Sequence, residues 1–246
     1  MQTTTEILKE LIELAPSIYE GNKQRGFWEK GAGECKTERT VLIITELAEA
    51  VEAHRHGKQY NPKLRNDWFR DMPYDDNEIG FIFRNKGNYQ GNYTGMLNVE
   101  LLDEAQWLFI FKSQVKDTVE DEMADVVIRF LDTCQGFSLG LASAMGFISE
   151  EVLKEPIGFK NTSFIIGIHY LINRISVIAG YISDKETVND NEGYYLNILQ
   201  YQKSALANCF LDIVWFCQEH NIDIVQHVNW KLKYNATRPY KHGKKY

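Results

Sequence analysis

The sequence predicts an all-α fold. Only five prolines occur in 246 residues, apolar positions recur mostly at helical spacing, and no stretch alternates like a half-buried strand. Helices are expected near 3–15, 38–56, 100–113, 119–135, 139–154, 163–182, 194–219 and 222–234. Between the second and third, residues 57–95 are rich in Gly, Asn, Asp and aromatics and read as a long irregular connection. Loops of that length are usually functional or mobile. Thr118 followed by Asp121 resembles a capping box and opens a helix over Val119–Gln135, which Gly136 is expected to stop. Pro156 and Gly158 mark a weaker boundary, dividing the chain into halves 1–157 and 158–246. Phe164–Ile182 is nearly long and apolar enough to span a bilayer, but His169, Asn173 and Arg174 within it favour a core helix.

Hydrophobic residues make up 44% and charged residues 25%, which excludes a disordered chain, a collagen-like chain and a simple coiled coil. Four scattered cysteines without a CxxC pair argue against a disulfide scaffold or zinc ribbon and fit a reducing cytoplasm. Acids in the first residues, where an export signal needs bases, point to the same compartment. The net charge of −7 is uneven, because the last sixteen residues hold six Lys/Arg and no acid. Such a tail suits either nucleic acid or closure over an anionic small ligand held by the acidic body.

The informative stretch is Thr45–Ala53, TELAEAVEA. Glu46 and Glu49, three apart, share a helix face, with Glu46 directed into the apolar sector and Glu49 at its border. A carboxylate aimed at a core needs a cation, a metal, hydrogen-bond donors or a proton. Glu122 and Asp125 form a second such pair in VEDEMADVVIRFLD. Taken alone, that pair also reads as a solvated stripe with an Asp125–Arg129 ion pair. Two antiparallel helices each facing the other with two acids would build a nest of four carboxylates that repel one another unless cations intervene. Hard divalent ions with oxygen ligands answer that need, and the carboxylates alone do not separate Mg2+ from Mn2+. The ExxH motif of di-iron bundles is absent.

A faint internal repeat aligns Phe164–Gly180 with Val41–Gly57 and the Asp212 segment with that of Asp125. Glu46 then falls on His169, Glu49 on Ile172 and Glu122 on Cys209, so a second copy would have kept its helices and lost acids. Buried helices also resemble one another without common descent.

ELAEAVEAHRHGK followed by VEDEMADVVIRFLD resembles the two-part acidic signature of the MazG-like, all-α nucleoside triphosphate pyrophosphohydrolases, whose superfamily includes dimeric dUTPases and dCTP pyrophosphatases. YEGNKQRGFW (Tyr19–Trp28) is similar to the lead before their first acidic helix, and KYNATRPYKHGKK (Lys233–Lys245) to their basic tail. The resemblance covers about half of the chain. It implies a helical bundle and metal-dependent attack of water on the α-phosphorus of an NTP or dNTP, giving monophosphate and pyrophosphate; the 57–95 insertion, which puts Asp125 79 residues after Glu46, departs from compact members. It also implies that Glu46, Glu49, Glu122 and Asp125 are Mg2+ ligands, with Glu49 as the group that orients the water. Arg129, Lys233, Asn235, Arg238 and Lys241 become candidates for the triphosphate, and Trp28 for stacking on the base; for Trp28 a core role is the alternative. Compact members place the tail soon after the second acidic helix. Here it follows an acid-poor second half, as a covalent pseudo-dimer would have it. Rival readings are a non-catalytic nucleotide-binding protein on the same fold and a nucleic-acid adaptor using the tail, against which the acidic body argues. No membrane partner is expected, and a homodimer is compatible with the sequence.

Overall fold

In the computed structural model the described residues are 2–29, 32–60, 103–154, 159–184 and 192–239. All regular structure among them is helical, as expected. The order is α1 (Thr4–Gln24), α2 (Ala32–Arg55), α3 (Glu104–Ile110, continued by a π-helical turn Phe111–Val115), α4 (Val119–Gly136), α5 (Leu141–Met145), α6 (Glu150–Lys154), α7 (Phe164–Asp184), α8 (Glu192–Glu219) and α9 (Ile224–Ala236). The connection expected over 57–95 lies outside the described residues beyond Tyr60, as do the boundary at 155–158 and the tail from residue 240, with Lys241.

Three boundaries differ from expectation, the simplest being the start of α2 at Ala32 instead of 38. Helix α1 begins at an N-cap Thr3 closed by a capping box with Glu6, but it runs on through Pro16 to Gln24. Proline removes one helical hydrogen bond. The buried stripe Leu11, Ala15 and Ile18 crosses that point on one face and holds the helix together. The helix expected over 139–154 is two short ones, separated by Gly146–Ser149.

The centre is a set of four helices, each antiparallel to its neighbours. Along α2 and α4, Arg39 meets Asp132 at 3.3 Å, and Lys58 O accepts from Val119 N at 2.9 Å. Along α7 and α8, Arg174 meets Asp212 at 2.9 Å, and Phe164 packs on Phe216. His54 of α2 stacks on Phe164 of α7 at 4.3 Å, while Phe130 of α4 stacks on Phe210 of α8. The short helix α5 lies on α8, and α9 lies on α4. One apolar cluster, with Leu47, Met123, Leu131, Leu171, Phe210 and Phe216 fully buried, runs through both halves of the chain. Each such side chain contributes about 2 kcal/mol through burial. Helix α7 buries Ile168, Leu171, Ile175 and Ile178 but leaves Ile166 63% exposed, so it is a one-sided surface helix rather than a fully enclosed one. No described helix is long and apolar enough to cross a membrane.

At the start of α4, Thr118 Oγ accepts from Asp121 N at 3.3 Å, half of the expected box. The Asp121 carboxylate does not close the other half; it accepts from Asp117 N and from Lys231. Gly136 is the last residue of α4, yet the left-handed residue that breaks the helix is Ser138, at φ 51°. The glycine serves a close approach: a Cβ there would lie 2.1 Å from the Trp28 ring. Gly136→Ala should therefore destabilise the fold by about 1–3 kcal/mol, as overpacking does. A lowered denaturation midpoint at unchanged slope is the expected reading, and an unchanged midpoint would contradict the contact.

Candidate functional site

A cleft of about 210 Å³ runs along α4, with α2 and α9 as its walls. Glu122, Asp125, Arg129 and Asp132 line it from α4, and Arg39, Glu46 and Glu49 from α2. Lys231, Asn235 and Arg238 line it from the C-terminal side, and Asn22 and Phe27 close one end. The cleft is small and open, so a ligand there stays partly in solvent.

Burial of Leu47 and Ala50 turns the neighbouring Glu46 inward, leaving it 5% exposed, while Glu49 at the edge is exposed. Helix α4 is enclosed by α1, α2, α8 and α9, which buries Glu122 as well. Oxygens of Glu46, Glu49 and Glu122 lie within 4.8 Å of one another, an arrangement that could hold a metal ion. Asp117, Asp121 and Glu122 form a second group meeting the same limit. Asp125 faces the cleft, but its Oδ2 lies 2.8 Å from Lys231 Nζ.

The solvated stripe with an Asp125–Arg129 pair is not what forms. Arg129 pairs with Glu46 across the helix interface, and Asp125 pairs with Lys231. Lys231 also donates to Asp121 at 2.7 Å and is itself 5% exposed. Burial alone would lower the Lys231 pKa, but Asp125 and Asp121 raise it, so the ammonium is retained. Burial, reinforced by Asp125, pushes Glu46 up to about 7 despite Arg129. The same two causes, in the same order, push Glu122 up to about 8. Burial raises Asp121 to about 6 against the pull of Lys231.

At the far end, Asp132 knots three segments together. It accepts from Trp28 Nε1 at 3.0 Å and Arg39 Nη1 at 3.3 Å. Arg39 also donates to Phe27 O and lies 4.1 Å over the Trp28 ring.

The four expected carboxylates, Arg129, Asn235 and Arg238 thus share one cleft. Two other expectations fail. Trp28 is 8% exposed, with Arg39 over its ring and Tyr19 and Phe137 against its edges, so it is core and offers no face to a base. Lys233 carries its ammonium 4.3 Å from the Trp107 ring centre and does not line the cleft. Helical spacing explains this. Lys231 and Asn235 follow the i, i+4 spacing of one face of α9, with Arg238 just past the helix end, and Lys233 lies two positions off that face. That spacing is the signal that singles out Lys231 in the tail. Asp121 and Asp132 carry no comparable sequence signal. No protein-family model matches the chain, and no curated protein or solved structure shows a significant match to it.

Lys231→Met leaves Asp121 buried, and Asp125 half-buried, without their cation. It should cost about 3 kcal/mol at pH 8. The cost should shrink near pH 5, where Asp121 can take a proton. Urea unfolding at both pH values reads this, and a pH-independent loss would contradict it. Glu46 and Glu122 hold protons at neutral pH that a bound cation must displace. Divalent-cation affinity should therefore rise with pH from 6 to about 8.5 and be accompanied by proton release. Calorimetry of Mg2+ or Mn2+ binding in buffers of different ionisation enthalpy measures both.

Proposed function

We propose that the protein is a metal-dependent nucleoside triphosphate pyrophosphohydrolase of the MazG-like type. The observation that carries this is the convergence of Glu46 and Glu49 with Glu122, from helices far apart in sequence, to within 4.8 Å. The all-oxygen donor set, with protonatable members and a neighbouring Asp125, suits Mg2+ or Mn2+ held through a few carboxylates. When bound, such an ion neutralises phosphate oxygens and lowers the pKa of water.

The chain's own groups have distinct parts. Glu46, Glu122 and Asp125 hold position from two helices. Glu49, the exposed member of the trio, accepts the water proton. The water oxygen bonds to the α-phosphorus, the bond from that phosphorus to the β-phosphate oxygen breaks, and monophosphate and pyrophosphate result. Arg129, Lys231, Asn235 and Arg238 provide cationic and amide donors for the phosphate chain and for the charge growing on the leaving group. Transfer of Asp121 and Asp125 from Lys231 to a cation would release the ammonium toward phosphate.

The tandem arrangement belongs to the same reading. Helix α9 of the second half lies on α4 of the first, and α5 of the first lies on α8 of the second. Asp212, aligned with Asp125, is held by Arg174 at 2.9 Å. A pseudo-dimer with one working site accounts for both: the second half has closed its own acid with an arginine and lends α9 to the first.

The test is a panel of NTPs and dNTPs with Mg2+, scored for monophosphate plus pyrophosphate against diphosphate plus phosphate. Glu49→Gln and Glu122→Gln should each lower kcat at least about a hundredfold while leaving the helical circular-dichroism spectrum unchanged. Full turnover in either variant would remove the carboxylates from the chemistry. Nucleotide binding without any product would favour a non-catalytic binding protein. Steeply salt-dependent binding to nucleic acid, again without pyrophosphate, would favour an adaptor.

A further inference from the structure

We propose that Trp107, Phe111 and Tyr234 form a stacked mount that positions Arg238 for an anionic phosphate chain, so that helix α3 sets the affinity of the cleft from outside it. The identity of the ligand rests on the pyrophosphohydrolase reading above.

Among the described residues, the cations lining the cleft are Arg39, Lys116, Arg129, Lys231 and Arg238. All but the last are closed by carboxylates. Arg39 meets Asp132, Lys116 meets Asp117, Arg129 meets Glu46, and Lys231 meets Asp121 and Asp125. Among the described residues no carboxylate pairs with Arg238. Its guanidinium has the Asn235 amide oxygen at 3.4 Å and the Tyr234 ring, whose centre lies 5.7 Å from Cζ. A carboxylate neutralises the cation it holds. A ring face holds a cation through its quadrupole and leaves the charge intact. The charge of Arg238 is therefore left for a ligand.

The ring under Arg238 is itself supported. Tyr234 stacks on Phe111 with ring centres 4.7 Å apart and planes at 21°. Phe111 stacks on Trp107 at 5.3 Å and 27°. Trp107 and Phe111 are four apart on α3 and its π-helical continuation, so both rings leave one face. Lys233 Nζ lies 4.3 Å from the Trp107 ring centre, so each end ring of the column carries a cation. The three rings are buried with Val115 in a cluster separate from the main core. This cluster is what joins α3 to α9.

Tyr234 lines the cleft, but Trp107 and Phe111 do not. They are positioning residues, acting on a ligand through Tyr234 and Arg238. Arg238 lies just past the end of α9, so the helix alone does not orient its side chain. Tyr60 packs against the same cluster, so the described residues on either side of 61–102 meet at the mount. The element that carries Trp107 and Phe111 also ends at Lys116, which lines the cleft already paired with Asp117. Coupling to Arg238 is therefore the quantity that separates a mount from a general support.

The test measures binding of inorganic pyrophosphate with Mg2+ by calorimetry in the wild type, Phe111→Leu, Arg238→Met and the double variant. Beside it run kcat and KM for a nucleotide that the panel above shows to be turned over. Arg238→Met should weaken pyrophosphate binding at least about tenfold, the worth of a hydrogen bond to a charged group. Phe111→Leu should weaken it about three- to tenfold, the range of a cation–π contact, and raise KM more than it lowers kcat. In the Arg238→Met background Phe111→Leu should add less than about twofold, because both changes remove one interaction. Tyr234→Leu should show the same coupling, and Tyr234→Phe, which keeps the ring, should stay within about twofold of the wild type. That pair replaces Phe111→Leu if the latter fails to fold. Equal penalties from Phe111→Leu in both backgrounds make α3 a general support and overturn the mount, leaving the enzyme reading standing where turnover persists. Unchanged binding in Arg238→Met, or no pyrophosphate binding in the wild type, also overturns the mount. Coupled penalties in a protein that releases no pyrophosphate from any nucleotide sustain the mount and remove the enzyme reading.

Discussion

The ammonium of Lys231 between Asp121 and Asp125 is the interaction on which the cleft depends. Lys231 and Asp121 are buried, and Asp125 stands between them and the cleft. A lone carboxylate there would have to protonate, and a lone lysine would lose its proton, because burial disfavours both charged forms. Their attraction fixes α9 against α4. Asn235 then faces the cleft because it lies one turn beyond Lys231 on the same stripe, and Arg238 follows just past the helix end. The Arg129–Glu46 pair does the corresponding task between α4 and α2. The walls of the cleft are thus held by its own charged groups as well as by the apolar core behind them.

This arrangement also accounts for the unequal characters of the four carboxylates. Glu46 and Glu122 are buried and lean toward the neutral form, whereas Glu49 stands at the mouth. Asp125 is shared between the cluster and Lys231. Environment, rather than residue type, sets which of these acids is buried and which is open to solvent. At the other end, the Asp132 knot ties the N-terminal lead to α2 and α4. Residues from the two ends of the described chain consequently meet along one helix.

The fold class and most helices were legible because helical periodicity and the scarcity of proline are local properties. The extension of α1 through Pro16 was not, since it is decided by what Leu11, Ala15 and Ile18 bury against. Glu46 was legible as an inward acid from its place on the wheel between Leu42, Ala50 and Ala53. The partners of Arg129 and Asp125 were not, because an i,i+4 pair satisfies helical spacing equally well and only the packing of α2 and α9 onto α4 decides between them. The purpose of Gly136 was hidden for a related reason. A glycine near a helix end reads as a stop, and nothing local reveals that an indole from a hundred residues earlier rests on it. Lys231 could be found from its spacing to Asn235 and Arg238, whereas Asp132 becomes meaningful only once Trp28 and Arg39 are brought to it.

The separation of Lys231 from Asp121 by 110 positions has a consequence for biosynthesis. As the polypeptide leaves the ribosome, the acids of α2 and α4 emerge well before their buried counter-cation. Until α9 follows, collapse of those two helices would trap anions without relief, so the nascent chain must keep that surface wet. The acidic face therefore consolidates only after α9 has been made.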